Sequence, residues 1–162
     1  MSVMGNTQIS STRGACEATN ASSVHKPQKK GSDSLNLLLF SVGGVRFGVD
    51  ADQVAEITAY DGDPAENLFW FHEEMDYGAQ TVRYLSPTIV TIRTGDVSPY
   101  RVIIDSMEDI AEFSQNDICL FPSLVEPFSL QKGMWGILLQ HGSMVVLLDF
   151  QRLLKERKSG VI

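Results

Sequence analysis

The chain has 162 residues, and 43% of them are hydrophobic, which is enough to build one domain or two small barrels packed together. Its net charge of −7 is unevenly divided, because residues 1–34 carry +2 and the remainder therefore carries −9. An acidic body of this kind repels the phosphates of nucleic acids, so nucleic acid is excluded as a main partner.

No segment approaches the roughly 18 to 20 apolar residues that cross a bilayer, and the N-terminus lacks the apolar run of a secretory signal. The two cysteines, Cys16 and Cys119, are far apart and fit neither a disulfide framework nor a metal knuckle. The apolar neighbours of Cys119 favour a buried, reduced thiol. We therefore expect a cytoplasmic protein that does not insert directly into a membrane.

The first part of the chain differs in composition from the rest. Residues 1–34 are rich in Ser, Thr, Asn and Gly, contain no aromatic residue and show the period of neither a helix nor a strand. We expect a disordered tail there and a folded domain over residues 35–158. The cluster of Lys26, Lys29 and Lys30 could touch an acidic surface, although a solvated charge run is the simpler interpretation.

Three predicted hairpins follow, each with two short apolar strands joined by a turn: 35–42 with 45–49, 88–93 with 100–104, and 135–140 with 143–148. The first turn is Gly43-Gly44, and two glycines between apolar runs indicate a two-residue turn that needs positive φ at both positions. The third turn is His141-Gly142. The repetition of this plan predicts a largely antiparallel β protein.

Each hairpin ends in an apolar residue followed by an aspartate, namely Asp50, Asp105 and Asp149. Aspartate accepts hydrogen bonds from the free N–H groups of a first helical turn and suits the positive end of the helix dipole. We therefore predict that all three aspartates are helix N-caps.

Two further signals complete the fold prediction. An aliphatic-Ala-Glu triplet follows the first two aspartates, at 54–56 and at 110–112, and forms a weak internal repeat. Apolar residues at helical spacing, followed by Arg and Lys, predict one terminal helix over residues 150–158. Many short strands and one convincing helix predict a mainly β fold made of barrels or a sandwich.

Patterns that carry catalytic or metal chemistry are weak. The three histidines have no neighbouring ligand to complete a metal site, and the acidic segment from Asp61 lacks the Gly and the bidentate Glu of a calcium loop. The carboxylates Glu73, Glu74 and Asp76 form a cluster that a small hydrolase or a ligand-binding barrel would have to use. We expect no enzyme, no cofactor and no bound metal.

Residues 37–57 have the sequence LLLFSVGGVRFGVDADQVAEI. In this order come an apolar strand, a Gly-containing turn, an aromatic-Gly step, an apolar-Asp step and a Val-x-Glu-Ile segment. The order resembles the opening of CheW-like domains, the chemotaxis coupling protein family. Residues 101–110 resemble the second hairpin of that family, and residues 135–154 resemble its final hairpin and terminal helix.

This resemblance covers about residues 35–156 and implies two small five-stranded SH3-like or OB-like barrels packed together, with a short C-terminal helix. It implies a non-enzymatic adaptor or scaffold that couples a histidine kinase to methyl-accepting chemoreceptors in bacterial two-component signalling. The family also has a strand with an Asn-Leu-Arg-Gly-like motif that contributes to partner contact, and no such motif is present here. A repurposed barrel that binds another signalling or motility protein is therefore an alternative.

The same resemblance implies that Val54, Glu56 and Ile57 lie near a partner-binding surface. For Val54 and Ile57 the alternative is core packing in a short strand, and for Glu56 it is an ordinary exposed carboxylate. A second candidate surface is the segment 68–71, with Phe69 and Trp70 as its site residues, because its three adjacent aromatic residues cannot all point inward from a strand with a period of two. An outward aromatic ring would be a binding anchor, unless a neighbouring loop covers it.

Overall fold

The computed structural model describes residues 33–95 and 97–159, and in the last helix it describes side chains as far as Lys155. Within these residues there are ten strands: β1 (Ser34–Val42), β2 (Val45–Asp50), β3 (Val54–Ala59), β4 (Leu68–Trp70), β5 (Thr88–Ile92), β6 (Tyr100–Ile104), β7 (Met107–Ser114), β8 (Ile118–Leu120), β9 (Met134–Gln140) and β10 (Ser143–Leu148). The helices are short: α1 (Phe71–Glu74), α2 (Glu126–Gln131) and α3 (Phe150–Ser159), with 3-10 turns at Ala51–Gln53 and Gln115–Asp117.

All three predicted hairpins are confirmed. β1 pairs with β2, β5 with β6 and β9 with β10, each antiparallel. The turn residues Gly43 and Gly44 have φ of 60° and 81°, and His141 and Gly142 have φ of 49° and 76°. Positive φ at both central positions matches the right-handed twist of the flanking strands, so these turns fix the register of the two hairpins.

The strands form two sheets, which confirms the mainly β prediction. One sheet has the order β7-β1-β2-β10-β9-β8, and the other has the order β3-β5-β6-β4. The six-stranded sheet curls, because Phe113 on one edge and Ile118 on the other pack against the same cluster. That cluster contains Leu37, Leu39, Leu138, Val145 and Leu147.

A second and larger core lies between the two sheets. It joins residues of β1, β2 and β10 to residues of β5 and β6, and it also takes in α1 and α3. Its centre is aromatic: the ring centroids of Phe40 and Phe71 are 5.2 Å apart, and those of Phe47 and Phe71 are 4.8 Å apart. Phe150 at the start of α3 also packs on Phe40. Burial of these rings holds the two sheets and the terminal helix together.

The division of strands differs from the expectation of five and five. The ten strands are divided six and four, and residues 60–67, which connect β3 to β4, contain no strand. The smaller sheet is therefore left with β3 and β4 as its two edges.

Two of the three predicted aspartate caps are confirmed. Asp50 Oδ1 accepts a hydrogen bond from the backbone N–H of Asp52 at 2.9 Å, at the start of a 3-10 turn. Asp149 Oδ1 accepts one from the backbone N–H of Arg152 at 3.0 Å, in the first turn of α3. The predicted terminal helix is also confirmed, since α3 spans Phe150–Ser159.

The prediction for Asp105 is wrong. Ser106 has φ of 45° and turns the chain directly into β7, so no helix follows for the aspartate to cap. Asp105 is buried instead, and its Oδ1 accepts hydrogen bonds from the backbone N–H groups of Leu85 (3.0 Å) and Ser86. It anchors the loop before β5.

The prediction for Cys119 is also wrong, because this half-buried residue on β8 is disulfide-bonded rather than a reduced thiol. Cys16 and most of the predicted tail lie outside the described residues, and the boundary between tail and domain stays a prediction. Of the helices in the described parts of the chain, none has the length and apolar character needed to cross a membrane.

Candidate functional site

A groove of about 260 Å³ lies where an edge of the smaller sheet approaches the larger one. It is lined by Leu38, Ala51, Val54, Ala55, Glu56, Ile57 and Ile110. We call it the β3 groove. It contains all three residues that the resemblance places near a partner-binding surface.

The edge position of β3 gives the groove its first wall. β3 pairs only with β5, and the pairing contains a bulge between Val54 and Glu56. Val54 and Ile57 are three positions apart and would lie on opposite faces of a regular strand, but the bulge lets both pack against the core between the sheets. Both are half-buried, whereas Glu56 is exposed at the groove.

The opposite wall comes from β7. Ile110 lies directly across from Leu38 of β1 and is 52% exposed, although it is a large aliphatic side chain. Glu112 lies two residues further along the same face of β7, and it is also exposed. The groove therefore has an apolar floor with Glu56 in its lining, and Glu112 lies next to the lining residue Ile110 on the same face of β7; we call these two carboxylates the rim.

The carboxylates of β3 and β7 differ in whether a cation binds them. Glu108 lies at the bulge of β7 and binds Arg46, on the opposite face of the sheet from Ile110, through two hydrogen bonds of 3.0 and 2.6 Å; this contact raises the pKa of Arg46. In the described parts of the chain, no cation lies within ion-pairing distance of Glu56 or Glu112. These two carboxylates give the rim a negative charge.

Side-chain hydrogen bonds hold the start of β3 in place. The guanidinium of Arg93 donates from Nε to the carbonyl of Asp52 (3.1 Å) and from Nη2 to the carbonyl of Val54 (3.2 Å). Gln53 Oε1 accepts from the backbone N–H of Phe150 at 2.9 Å and so ties the preceding 3-10 turn to α3. The β3 wall is thus fixed to both the smaller sheet and the terminal helix.

The aromatic candidates do not join the groove. Phe69 and Trp70 lie on β4, at the opposite edge of the sheet from β3. Phe69 points toward the core and stacks on Tyr100 with ring centroids 5.0 Å apart. Trp70 points to the other face, where Tyr60 and Tyr84 meet it edge-on at 5.4 and 4.8 Å. Residues from neighbouring loops therefore cover Trp70, and it is half-buried.

The loop that covers Trp70 is held by polar contacts. The hydroxyl oxygen of Tyr84 accepts a hydrogen bond from the backbone N–H of His72 (3.3 Å) and lies 3.0 Å from its Nδ1. Burial raises the pKa of Tyr84 to about 12, and the carboxylates of Asp105 and Glu73 add to the rise. The ring of Trp70 therefore packs against Tyr60 and against the held Tyr84.

The acidic cluster near α1, Glu73, Glu74 and Asp76, lies apart from the β3 groove. Glu73 and Asp76 are exposed, and Asp76 Oδ2 lies 3.9 Å from the ammonium of Lys132. Glu74 is half-buried, and none of the three lines the β3 groove. Over residues 33–95 and 97–159, no three His, Cys, Asp or Glu side chains converge to hold a metal ion.

Sequence reasoning missed Leu38 and Ile110 as groove residues. Leu38 belongs to an apolar run that predicts only core packing. Ile110 had a signal, because its Ile-Ala-Glu triplet repeats the Val-Ala-Glu triplet of β3. In the structure the first residue of this triplet, Ile110, lines the same groove as Val54, Ala55 and Glu56.

With this geometry established, comparison with known proteins identifies the fold. Neither a scan against protein-family models nor a search of curated proteins finds a match. Among solved structures, the chain is similar to the scaffolding protein TtCheW from Thermoanaerobacter tengcongensis, with a TM-score of 0.53 and 14% sequence identity, over 71% of this chain and 88% of that one. The fold is CheW-like. The level of identity supports the shared fold alone.

Proposed function

We propose that this protein is a non-enzymatic adaptor that couples a chemotaxis-type histidine kinase to methyl-accepting chemoreceptors, in the cytoplasm of a bacterium. The observation that carries the proposal is the β3 groove, in which Val54, Glu56 and Ile57 come together on a CheW-like fold. The similar structure, TtCheW, is a scaffolding protein, which supports an adaptor rather than a catalyst.

The chemistry of the β3 groove suits a protein partner. Its volume accommodates a few aliphatic side chains, and its wall keeps Ile110 half-exposed for contact. The carboxylate of Glu56, which has no cation partner in the described part of the chain, favours Lys or Arg beside those side chains, since complementary charge speeds association and fixes orientation. We propose a partner segment with an aliphatic anchor next to a basic residue.

Purified protein should be titrated with the cytoplasmic parts of the host's chemotaxis-type kinases and receptors. In Glu56→Arg the rim charge is reversed, and we expect affinity for the groove partner to fall about tenfold or more, which corresponds to about 1.4 kcal/mol. Glu126→Arg makes the same charge change on the exposed start of α2 and serves as the matched control. Equal losses in both variants, or no binding of either partner, would count against the proposal.

The smaller sheet supports a second candidate, a CheW-like barrel repurposed to bind another signalling or motility protein. The specific observation is that residues 60–67 form no strand and that the sheet has four strands. A pull-down from host lysate distinguishes the two functions. Stoichiometric retention of a protein that is neither kinase nor receptor, with loss of that protein in Glu56→Arg, would favour the repurposed barrel.

Phe69 and Trp70 provide a further comparison between the two candidates. Trp70→Phe keeps an aromatic ring against Tyr60 and Tyr84, whereas Trp70→Ala removes it. If Trp70 contacts a partner directly, Trp70→Ala lowers affinity without lowering the unfolding midpoint. If its role is packing, the midpoint falls in Trp70→Ala and affinity changes little in Trp70→Phe.

A further inference from the structure

The β3 groove also fits a segment of the chain itself. Residues 1–32 carry a net charge of +3, in contrast to the acidic body, and three of their four basic residues are Lys26, Lys29 and Lys30. The rim of the groove presents Glu56 and Glu112 without a cation partner among the described residues. The charges of segment and groove are therefore complementary.

The point of entry into the fold brings these lysines near the groove. The chain enters β1 at Ser34, which lies opposite Ser114 of β7. Leu38, on the floor of the groove, is five residues beyond Asp33, about 17 Å along the strand at roughly 3.3 Å per residue. The three lysines precede Asp33 by three to seven residues, an extended reach of about 10 to 25 Å. Once the chain reverses, Lys26 can reach as far as Leu38, and Lys29 and Lys30 can reach Glu112, which lies across from Asn36. Gly31-Ser32-Asp33 has the composition of a turn.

Other occupants and other surfaces fit less well. A second copy of the chain would bring one acidic body against another, which like-charge repulsion opposes. The exposed apolar residues Leu120, Leu124 and Phe128, near β8 and α2, form no complement to a basic polar segment. Among the described residues, the β3 groove combines an apolar floor with carboxylates that have no cation partner there, near the point of entry.

We propose that residues 26–32 fold back over the β3 groove, with Lys26, Lys29 and Lys30 against Glu56 and Glu112, and compete there with a partner. Because the segment is tethered a few residues away, its effective concentration at the groove is high, on the order of millimolar. The docking of the segment does not depend on the adaptor role, whereas its regulatory effect rests on the proposed function.

Zero-length carbodiimide crosslinking of the full-length protein tests the docking directly, since it joins a lysine to a carboxylate only in close contact. The ion pair between Lys132 and Asp76, with N and O 3.9 Å apart, is an internal positive reference. An equal mixture of ¹⁴N- and ¹⁵N-labelled protein separates links within one chain from links between two chains. Mass spectrometry then identifies the joined residues.

The expected result is intramolecular links from the tail lysines to Glu56 and Glu112, lost in the Glu56→Gln/Glu112→Gln variant. Asp109→Asn is the matched control, because Asp109 lies on the same strand but faces the other way, opposite Leu39. Raising the ionic strength from about 0.01 M to about 1 M shortens the Debye length from about 30 Å to about 3 Å and should lower these links several-fold. Isotopically mixed links would assign the groove to a second copy and overturn the proposal. The proposal would also be overturned if the reference link forms but the tail links are absent, or are spread over exposed carboxylates such as Asp61.

The regulatory effect has its own measurement. If the lysines occupy the groove half to nine-tenths of the time, then Lys26→Gln/Lys29→Gln/Lys30→Gln should strengthen partner binding about two- to tenfold. Unchanged affinity in this variant would overturn the competition. Crosslinks to the groove without binding of any kinase or receptor would overturn the proposed function and leave the docking of the segment supported.

Discussion

Replacing Asp105 with Ala tests what holds the loop over Trp70 in place. The carboxylate is 5% exposed and accepts both of its hydrogen bonds at Oδ1, from two consecutive backbone N–H groups. Asp105→Ala leaves both donors without their acceptor. Hydrogen bonds to a charged group contribute about 1.5 to 3 kcal/mol each. Part of this is recovered because the loop is exposed and water can reach the freed groups.

We therefore expect the free energy of unfolding to fall by about 2 to 4 kcal/mol in Asp105→Ala. With a urea m-value of about 2 kcal/mol per molar, the unfolding midpoint should drop by about 1 to 2 M. Asp105→Asn is the control, because an amide oxygen can accept the same two bonds without the charge. Its loss should be about half as large.

Two measurements distinguish this mechanism from a general loss of stability. Urea unfolding gives the global midpoint, and hydrogen exchange followed by NMR gives the protection of individual amides. In Asp105→Ala the amides of Leu85 and Ser86 should lose protection more than those of β6. A loss of less than about 0.5 kcal/mol, or equal losses in the Ala and Asn variants, would refute the role assigned to the two hydrogen bonds.

Three further outcomes are expected. Gly133→Ala should lower the thermal unfolding midpoint well below that of Gly142→Ala. Both glycines have positive φ, but only at Gly133 would an added Cβ lie 2.7 Å from a backbone oxygen. Equal midpoints of the two variants in a thermal melt would contradict this. Stability should fall as pH rises from about 10 to about 12, because burial raises the pKa of Tyr77 and Tyr84 to about 12 and the unfolded state loses these protons first; Tyr84→Phe should flatten that decline in alkaline unfolding curves. Thiol trapping in host cells should recover Cys119 as a disulfide, as in the structure; a reduced Cys119 would show that the bond does not persist in the compartment where the protein acts.

Local signals in the sequence were sufficient for the hairpins and the terminal helix. Gly43-Gly44 adopts positive φ at both positions with little steric cost, as a tight turn between two apolar runs requires, and Asp149 stands directly before residues with helical spacing. The same local pattern gave a wrong prediction at Asp105, which caps no helix. Its neighbours in sequence match those of a cap, but its hydrogen-bond donors, Leu85 and Ser86, are about twenty positions away.

Only the β3 side of the candidate site could be predicted from the sequence. Val54, Glu56 and Ile57 could be proposed from the resemblance of their segment, whereas Leu38 looks like any core leucine until β7 is placed beside it. Phe69 and Trp70 were correctly expected to diverge, since neighbouring strand residues alternate between faces. Which ring would be covered depended on Tyr60 and Tyr84, which come from loops without a periodic pattern.

The sequence by itself determined the class of the fold, its three hairpins, its terminal helix and the acidic character of its body, because turns, caps and charge depend on residues that are close along the chain. Only the tertiary structure decided how ten strands divide into six and four and that β3 and β7 face each other across a groove. Those features depend on contacts between residues far apart in the chain, whose geometry no short pattern of residues encodes.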